Sequence, residues 1–399
     1  MKLRRLHLSR DSDWLDELEL IGADPETWDR LSRKCRVSTV ETDTISPVAA
    51  NILKQCMLSG GADAIVSRRT VSCRTDGTKC LIAGTPKQIL RGCDSLEGQP
   101  FGLSELAEEL RTAMEAPPEL PLKIPAGDRE LDFSSGPLIM GILNVTNDSF
   151  SDGGRYLERD DAVEHAAGMF EAGASIIDIG AESTRPGSLP VDPERQLDRI
   201  LPVIEDITGR LDAVISVDTT SALVAEAAVR SGVRMINDVS ALSDPGMAAL
   251  AAANGIPLVL MHMQGTPRTM QENPSYEDVV GEVYDFLEER VDRAVDAGVP
   301  RSSVIVDPGI GFGKRLRDNL KLIRRIREFR WMGCRVMLGH SRKSFLGELT
   351  GLDDPGRREA GTHAVTAVSS AGADIFRVHD VEGTRQVLQV AKRLGAEEC

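Results

Sequence analysis

LIMGILNVT (Leu138–Thr146) and SIIDIGAES (Ser175–Ser183) are the stretches that decide the fold. Each is a short apolar, β-branched run ending in polar residues, and a helix-like segment, DAVEHAAGMFEAG (Asp161–Gly173), separates them. The pattern recurs in AVISVDT (Ala213–Thr219), RMINDVS (Arg234–Ser240), PLVLMHM (Pro257–Met263), SVIVDPG (Ser303–Gly309), RVMLGHS (Arg335–Ser341) and DIFRVHD (Asp374–Asp380). Nearly continuous apolar runs suit strands covered on both faces, as in a parallel sheet. Helical stretches such as EDVVGEVYDFLEERVDRAVDAG (Glu277–Gly298) and TRQVLQVAKRLG (Thr384–Gly395) lie between or after them. Eight strands alternating with helices over roughly 260 residues predict an α/β chain built on a (β/α)8 TIM barrel. A doubly wound open sheet is the alternative that the pattern alone leaves.

Upstream of Leu138 the pattern changes. LKIPAGDRELDF (Leu122–Phe133) reads as two short extended runs around Ala126-Gly127-Asp128, a β-hairpin placed to cover the N-terminal mouth of the barrel. Before it, APPELP (Ala116–Pro121) cannot continue a helix, because proline lacks the amide donor and clashes with the preceding turn. The chain therefore divides into a smaller mixed α/β domain, 1–118, and the barrel, 119–399. In the first, Asp24-Pro25 and Ser46-Pro47 each place a capping side chain before a proline suited to the first helical turn. Ser104 is expected to open an amphipathic helix, and DAIVSRRTVSCRTDGTKCLIAG (Asp63–Gly84) reads as short strands around turns.

The 399 residues are 41% hydrophobic with a formal net charge of −15. That balance supports a full core and argues against nonspecific association with nucleic acid or anionic lipid. No apolar stretch approaches a membrane span, and the basic start MKLRRLHLSR lacks the apolar segment of a signal peptide. A cytoplasmic location is expected. Seven cysteines without CxxC spacing read as free thiols rather than a disulfide framework or zinc site.

The strands end in Asn144, Glu182, Asp218, Asn237 with Asp238, His262, Asp307, His340, and Arg377 with His379. In a barrel these emerge together at the C-terminal rim, where active sites are built. Any one of them could simply cap the following helix; caps, however, do not need Arg or His. Asp218, Asn237 and Asp307 suit the N–H-bearing edge of a planar heterocycle, since a carboxylate accepts paired hydrogen bonds. Arg342 and Lys343 in GHSRKSF, Arg377, His379, Arg185 and Lys314 add positive charge, suggesting a phosphate tail on that heterocycle. DPGIGFGK (Asp307–Lys314) lacks the spacing of a nucleotide P-loop. It is expected to bring backbone close to the ligand, with Phe312 and Lys314 turned toward the site.

At these residues the sequence closely resembles the dihydropteroate synthases. MGILNVTNDSFSDGG (Met140–Gly154) and GASIIDIGAESTRPGS (Gly173–Ser188) resemble the family's two signature segments. INDVSA, LMHMQGTPRTMQ, DPGIGFGK, SRKS and RVHDV continue the match in order, over about residues 120–395. The resemblance implies a transferase of folate biosynthesis that joins a dihydropterin methyl diphosphate to p-aminobenzoate. It implies that Asn144 holds the diphosphate through Mg²⁺, the expected cofactor, with Asp148 and Asp152 nearby. Asp218, Asn237, Asp307 and Lys343 match the dihydropterin-binding set. Arg377 and His379 match the diphosphate anchor, with Arg377 also against the pterin face. Phe150, Thr184, Arg185, Pro186 and Phe312 match the p-aminobenzoate pocket, with Ser341 beside it. Asp218, Lys343, Arg377 and His379 are the residues expected to act in catalysis. The resemblance further implies a homodimer, with sulfonamides as competitors. Three positions depart from the usual pattern: Asn147, where proline is usual, Ala181, where glycine is usual, and His340. The rival readings are a methyltetrahydrofolate–corrinoid methyltransferase-like protein and a catalytically silent pterin binder; neither explains the cationic and first-loop residues together.

Overall fold

The computed structural model describes Leu6 and residues 11–72, 74–115, 119–145, 155–182 and 191–395. The chain forms two compact units that meet in sequence at Pro117 and Pro118. In the larger unit, eight strands close into an all-parallel barrel in sequence order: β1 (Leu138–Asn144), β2 (Ile176–Gly180), β3 (Val214–Asp218), β4 (Met235–Asp238), β5 (Leu258–Met261), β6 (Val304–Asp307), β7 (Arg335–Leu338) and β8 (Ile375–Val378). β8 pairs with β1, Ile375 opposite Leu138, so the ring is complete. The expected TIM barrel is therefore the fold, and the open sheet is excluded.

The two-residue period of a strand sorts the barrel into layers. Ile139, Ile177, Ile215, Ile236, Leu258, Val304, Val336 and Phe376 point outward into the apolar cluster shared with the surrounding helices. Met140, Ile176, Val214, Met235, Val259, Ile305, Met337 and Ile375 point inward and form one apolar layer. Moving two residues along β2, β4, β6 and β8 from that layer reaches Asp178, Asn237, Asp307 and Arg377. The same pleat that fills the lower barrel with hydrocarbon therefore delivers a polar layer above it.

The hairpin, Lys123–Ala126 paired with Arg129–Asp132, closes the lower mouth, as the sequence led us to expect. Its Ile124, Ala126 and Leu131, with Phe133, join the inward apolar layer. Arg335 fastens this cover: one nitrogen donates to the Pro121 carbonyl (2.7 Å), another to Asp374 (2.9 Å), and the guanidinium lies 4.1 Å from the Phe133 ring centroid.

The smaller unit holds a three-stranded antiparallel sheet, with Leu81–Gly84 between Ser38–Glu41 and Asp63–Ile65. Helices Pro47–Gly60, Pro86–Leu96 and Leu103–Ala113 complete its core. Ser46 and Asp24 cap as expected, accepting from Ala49 N and Glu26 N respectively. Ser104 does not open its helix; Gly102 is the N-cap, and the Ser104 hydroxyl instead accepts from Gly98 N (3.1 Å). Gly60 and Gly92 let two helices touch, since a Cβ on Gly60 would sit 2.5 Å from Gly92 N. Cys56, Cys80 and Cys93 are buried and Cys35 is exposed, all as free thiols; Cys73 lies outside the described residues. Among the described residues no helix is long and apolar enough to cross a membrane.

If the hairpin is a structural cover, Leu131→Ala should destabilise the protein by about 2–5 kcal/mol, the cost of a cavity at a fully buried leucine. Pterin affinity measured well below the melting range should stay within twofold. A melting temperature equal to that of the unmodified chain would show that the hairpin does not carry the lower core.

Candidate active site

The polar layer is organised around Arg377. Its Nε donates to Asp178 Oδ2 and its Nη2 to Asp218 Oδ2, each at 2.7 Å, so β8 is bridged to β2 and β3. Asn237 from β4 donates its amide to the same Asp178 oxygen at 2.9 Å. Asp178 was not singled out in the sequence, where it lies inside an isoleucine run; a charge at an inward position of a buried strand is the signal that identifies it. Among the described residues, Asp178 Oδ1 and Asn237 Oδ1 are both buried without a hydrogen bond. Such acceptors cost about 1–3 kcal/mol each if left unpaired, so the site calls for a ligand bearing N–H donors.

Asp307 and Lys343 form the other wall. Asp307 Oδ1 accepts from Gly309 N (2.7 Å), which orients the carboxylate, and its Oδ2 faces Gly339. The Lys343 ammonium donates to the Ile310 carbonyl (2.6 Å) and stands 4.2 Å from the Phe312 ring centroid. Burial raises the Asp307 carboxyl above its ordinary range, with Lys343 opposing the rise. Burial brings Lys343 down to about 7, with Asp307 opposing. Asp218 is raised to about 7, again by burial first, while Arg377 pulls it back down and Asp178 pushes it further up. At the rim, Ser341 Oγ lies 2.9 Å from His379 Nδ1 and accepts from His379 N at 3.3 Å. Asn144 ends β1 with its side chain exposed.

Several rim residues turn out to be braces. Lys314 is buried and donates to the His262 and Phe312 carbonyls (3.3 and 3.0 Å), with His262 Nδ1 at 2.9 Å. Burial and the Lys314 charge bring His262 down to about 2, so this imidazole is neutral and can accept from Lys314. Lys314 therefore locks these loops, its ammonium held by His262 and Phe312, and Phe312 lies against Lys343. In DPGIGFGK, Gly309 and Gly313 have φ of +68° and +62°, and a Cβ on either would overlap the backbone carbonyl of His262 or Gln264, so these glycines also serve close packing of the loop. His340 is fully buried, its Nε2 3.0 Å from both the Thr362 carbonyl and Thr366 Oγ1. Asp238 caps its own loop, accepting from Ser240 and Leu242. Ala181 is buried and its carbonyl accepts from Arg199 (3.0 Å). Asn147, Asp148, Phe150, Asp152, Thr184, Arg185 and Pro186 lie outside the described residues.

The model of pterin-binding enzymes matches residues 140–379, which span this barrel and its rim. The dihydropteroate synthase of Escherichia coli K12 is 44% identical over 279 residues, covering 69% of this chain and 98% of that protein. The chain belongs to the dihydropteroate synthase family. The structure of the Xanthomonas albilineans dihydropteroate synthase with 4-aminobenzoic acid superposes with a TM-score of 0.65 and 42% identity, covering 69% of this chain and 98% of that one. A probable bifunctional folylpolyglutamate synthase/dihydropteroate synthase from Haloferax volcanii is 41% identical over 352 residues, covering 86% of this chain and 41% of that protein. The barrel unit, Pro118–Gly395, accounts for only 278 residues, so this last similarity runs into the smaller unit.

The orientation of Asp307 yields a direct check. Asp307→Asn can keep the acceptor for Gly309 N while replacing the outward oxygen with a donor. Pterin affinity should fall at least several-fold, consistent with a mismatched buried pair of about 1–3 kcal/mol, with little change in melting temperature. Equal affinity by calorimetry would assign Asp307 to loop structure alone.

Proposed function

We infer that this chain condenses (7,8-dihydropterin-6-yl)methyl diphosphate with p-aminobenzoate, giving 7,8-dihydropteroate and diphosphate. The observation that carries the reading is the pair of buried acceptors, Asp178 Oδ1 and Asn237 Oδ1, that have no partner among the described residues, in the polar layer that also holds Asp307. An amino-substituted pterin edge brings N–H donors to such acceptors, whereas an aliphatic substrate would leave them unpaired.

The arylamine nitrogen attacks the exocyclic methylene, the C–O bond breaks with its electrons leaving on diphosphate, and the nitrogen then loses a proton. An arylamine is a weak nucleophile, so departure of diphosphate dominates the barrier and positive charge develops on the pterin methylene. Asp178 and Asp218 together carry more negative charge than Arg377 neutralises, and such a fixed arrangement stabilises that cation. Arg377, held by both carboxylates, is assigned to the pterin face, and its Nη1 has no bond among the described residues. His379, steadied by Ser341, is assigned to the diphosphate as its rim donor. Asn144 suits the magnesium reading: its exposed amide oxygen is a hard donor, and Mg²⁺ takes few protein oxygens beside water and substrate phosphates. When bound, Mg²⁺ supplies positive charge against the leaving diphosphate. p-Aminobenzoate is assigned to the Phe312 and Ser341 side, the pocket to which the family resemblance also assigns Phe150, Thr184, Arg185 and Pro186; sulfonamides, as arylamine analogues, compete there. We assign the enzyme to the cytoplasm as a homodimer.

Diphosphate release measured with the pterin diphosphate, Mg²⁺ and p-aminobenzoate should give steady turnover and one dihydropteroate per diphosphate. Chelating Mg²⁺ should suppress turnover while leaving affinity for a pterin without phosphates intact. Tight pterin binding without any release would make the protein a silent binder instead.

The titrating walls also set a pH profile. Asp218 must be ionised to accept from the pterin, so binding weakens as pH falls below about 7. Protonated Lys343 donates a charge-assisted hydrogen bond that the neutral amine makes more weakly, so binding weakens as pH rises above about 7. Pterin affinity of the free enzyme should therefore peak near neutrality, and Asp218→Asn should flatten the acid limb only. A profile flat from pH 5 to 9, a span of about two units on either side of these pKa values, would contradict both assignments.

A further inference from the structure

Beside the rim, the helix Glu359–Ser369 packs against the C-terminal helix Val381–Gly395, and three ligating side chains converge where they meet. Glu359 and His363 stand one turn apart on the first helix, and Asp380 precedes the second. One ligand atom from each lies within 4.8 Å of the other two. We propose that Glu359, His363 and Asp380 form a binding site for a divalent transition-metal ion of the zinc class, separate from any magnesium carried with the diphosphate.

The way the two carboxylates divide their oxygens supports this. Glu359 Oε1 accepts from Arg342 Nε, and Asp380 Oδ1 accepts from Gly383 N (3.0 Å). That leaves Glu359 Oε2 and Asp380 Oδ2 as the donor atoms beside His363. Glu359 Oε2 and His363 Nε2 are buried and make no hydrogen bond among the described residues. His363 Nε2 lies 3.0 Å from Asp380 Oδ2 without the alignment of a hydrogen bond. That spacing is close to the edge of a tetrahedron around zinc, about 3.3 Å for ligand bonds of about 2.0 Å. An ion pair of protonated His363 with Asp380 would leave Glu359 Oε2 unsatisfied, whereas one cation satisfies all three atoms.

Gly383 keeps the space open. A Cβ there would overlap Asp380 Oδ2 and lie 2.5 Å from His363 Cε1. One imidazole and two carboxylates form a mixed nitrogen–oxygen set, which favours zinc-class ions over calcium or magnesium. Three protein ligands leave a fourth position for water. The ion would also tie two parts of the rim together: Glu359 grips Arg342, the neighbour of Lys343, and Asp380 follows His379. Arg342 holds φ at +57°, with its N–H donating to Thr362 Oγ1 and its carbonyl accepting from Arg358 Nη1 (3.2 and 3.0 Å).

The test is a titration of the full, chelator-stripped chain with Co²⁺ alone, without pterin or diphosphate. One equivalent should bind and give visible ligand-field bands without a thiolate charge-transfer band, and Zn²⁺ should displace it. His363→Leu should abolish those bands, and Gly383→Ala should weaken binding at least tenfold with all three ligands still present. Far-UV circular dichroism and pterin binding establish that each variant is folded; Glu359→Gln serves as the third variant. Absence of the thiolate-free bands in the unmodified chain would overturn the proposal, because it leaves only cysteine binding or no binding. Binding by a folded His363→Leu variant equal to that of the unmodified chain would overturn it as well.

Discussion

One guanidinium sets the terms for the interior of this barrel. Arg377 reaches from β8 to Asp178 on β2 and Asp218 on β3, and Asn237 on β4 shares the Asp178 oxygen. Buried charges are tolerable only when paired and hydrogen-bonded, and removing one partner of such a set typically costs about 3–5 kcal/mol. These four residues therefore hold their strands in fixed relation. They also leave a remainder of two buried acceptors without a partner among the described residues, open to N–H donors of a ligand. Structure and recognition depend on the same contacts.

That remainder is possible because the polar layer is walled off from below. The hairpin and the inward apolar layer seal the lower mouth, while the outward faces of the strands are sealed by helices. Excluding water from three sides raises Asp307 and Asp218 and lowers Lys343 through the same desolvation. Charges in such surroundings act strongly on a cation developing nearby, which is the demand made by a departing diphosphate.

Around this centre, polar residues of similar sequence appearance do different work. His262 and Lys314 lock two loops together, His340 anchors the β7 end to the helix Glu359–Ser369, and Asp238 caps its own loop. They hold still the backbone from which Asp307, Lys343, Ser341 and His379 project. Precision at the reacting groups rests on this surrounding shell.

The barrel itself was legible in the chain because its signal is local and repeated: eight buried runs, each ending in polar residues, separated by helices. The hairpin was legible from Gly127 between two short runs, and most of the polar layer from the strand ends Asp218, Asn237 and Asp307. What the chain could not disclose was the role of a polar residue among other polar residues. Asp178 lies in mid-strand and becomes a site residue only because the pleat points it inward, toward an arginine 199 positions away. Lys314 looked like a ligand cation and is a buried brace, because His262, 52 positions earlier, lies against it. Sequence determines which residues can form strands and which groups can carry charge. Partner choice among those groups depends on barrel closure, which brings distant strands within hydrogen-bonding reach and removes the water that would otherwise satisfy each group separately.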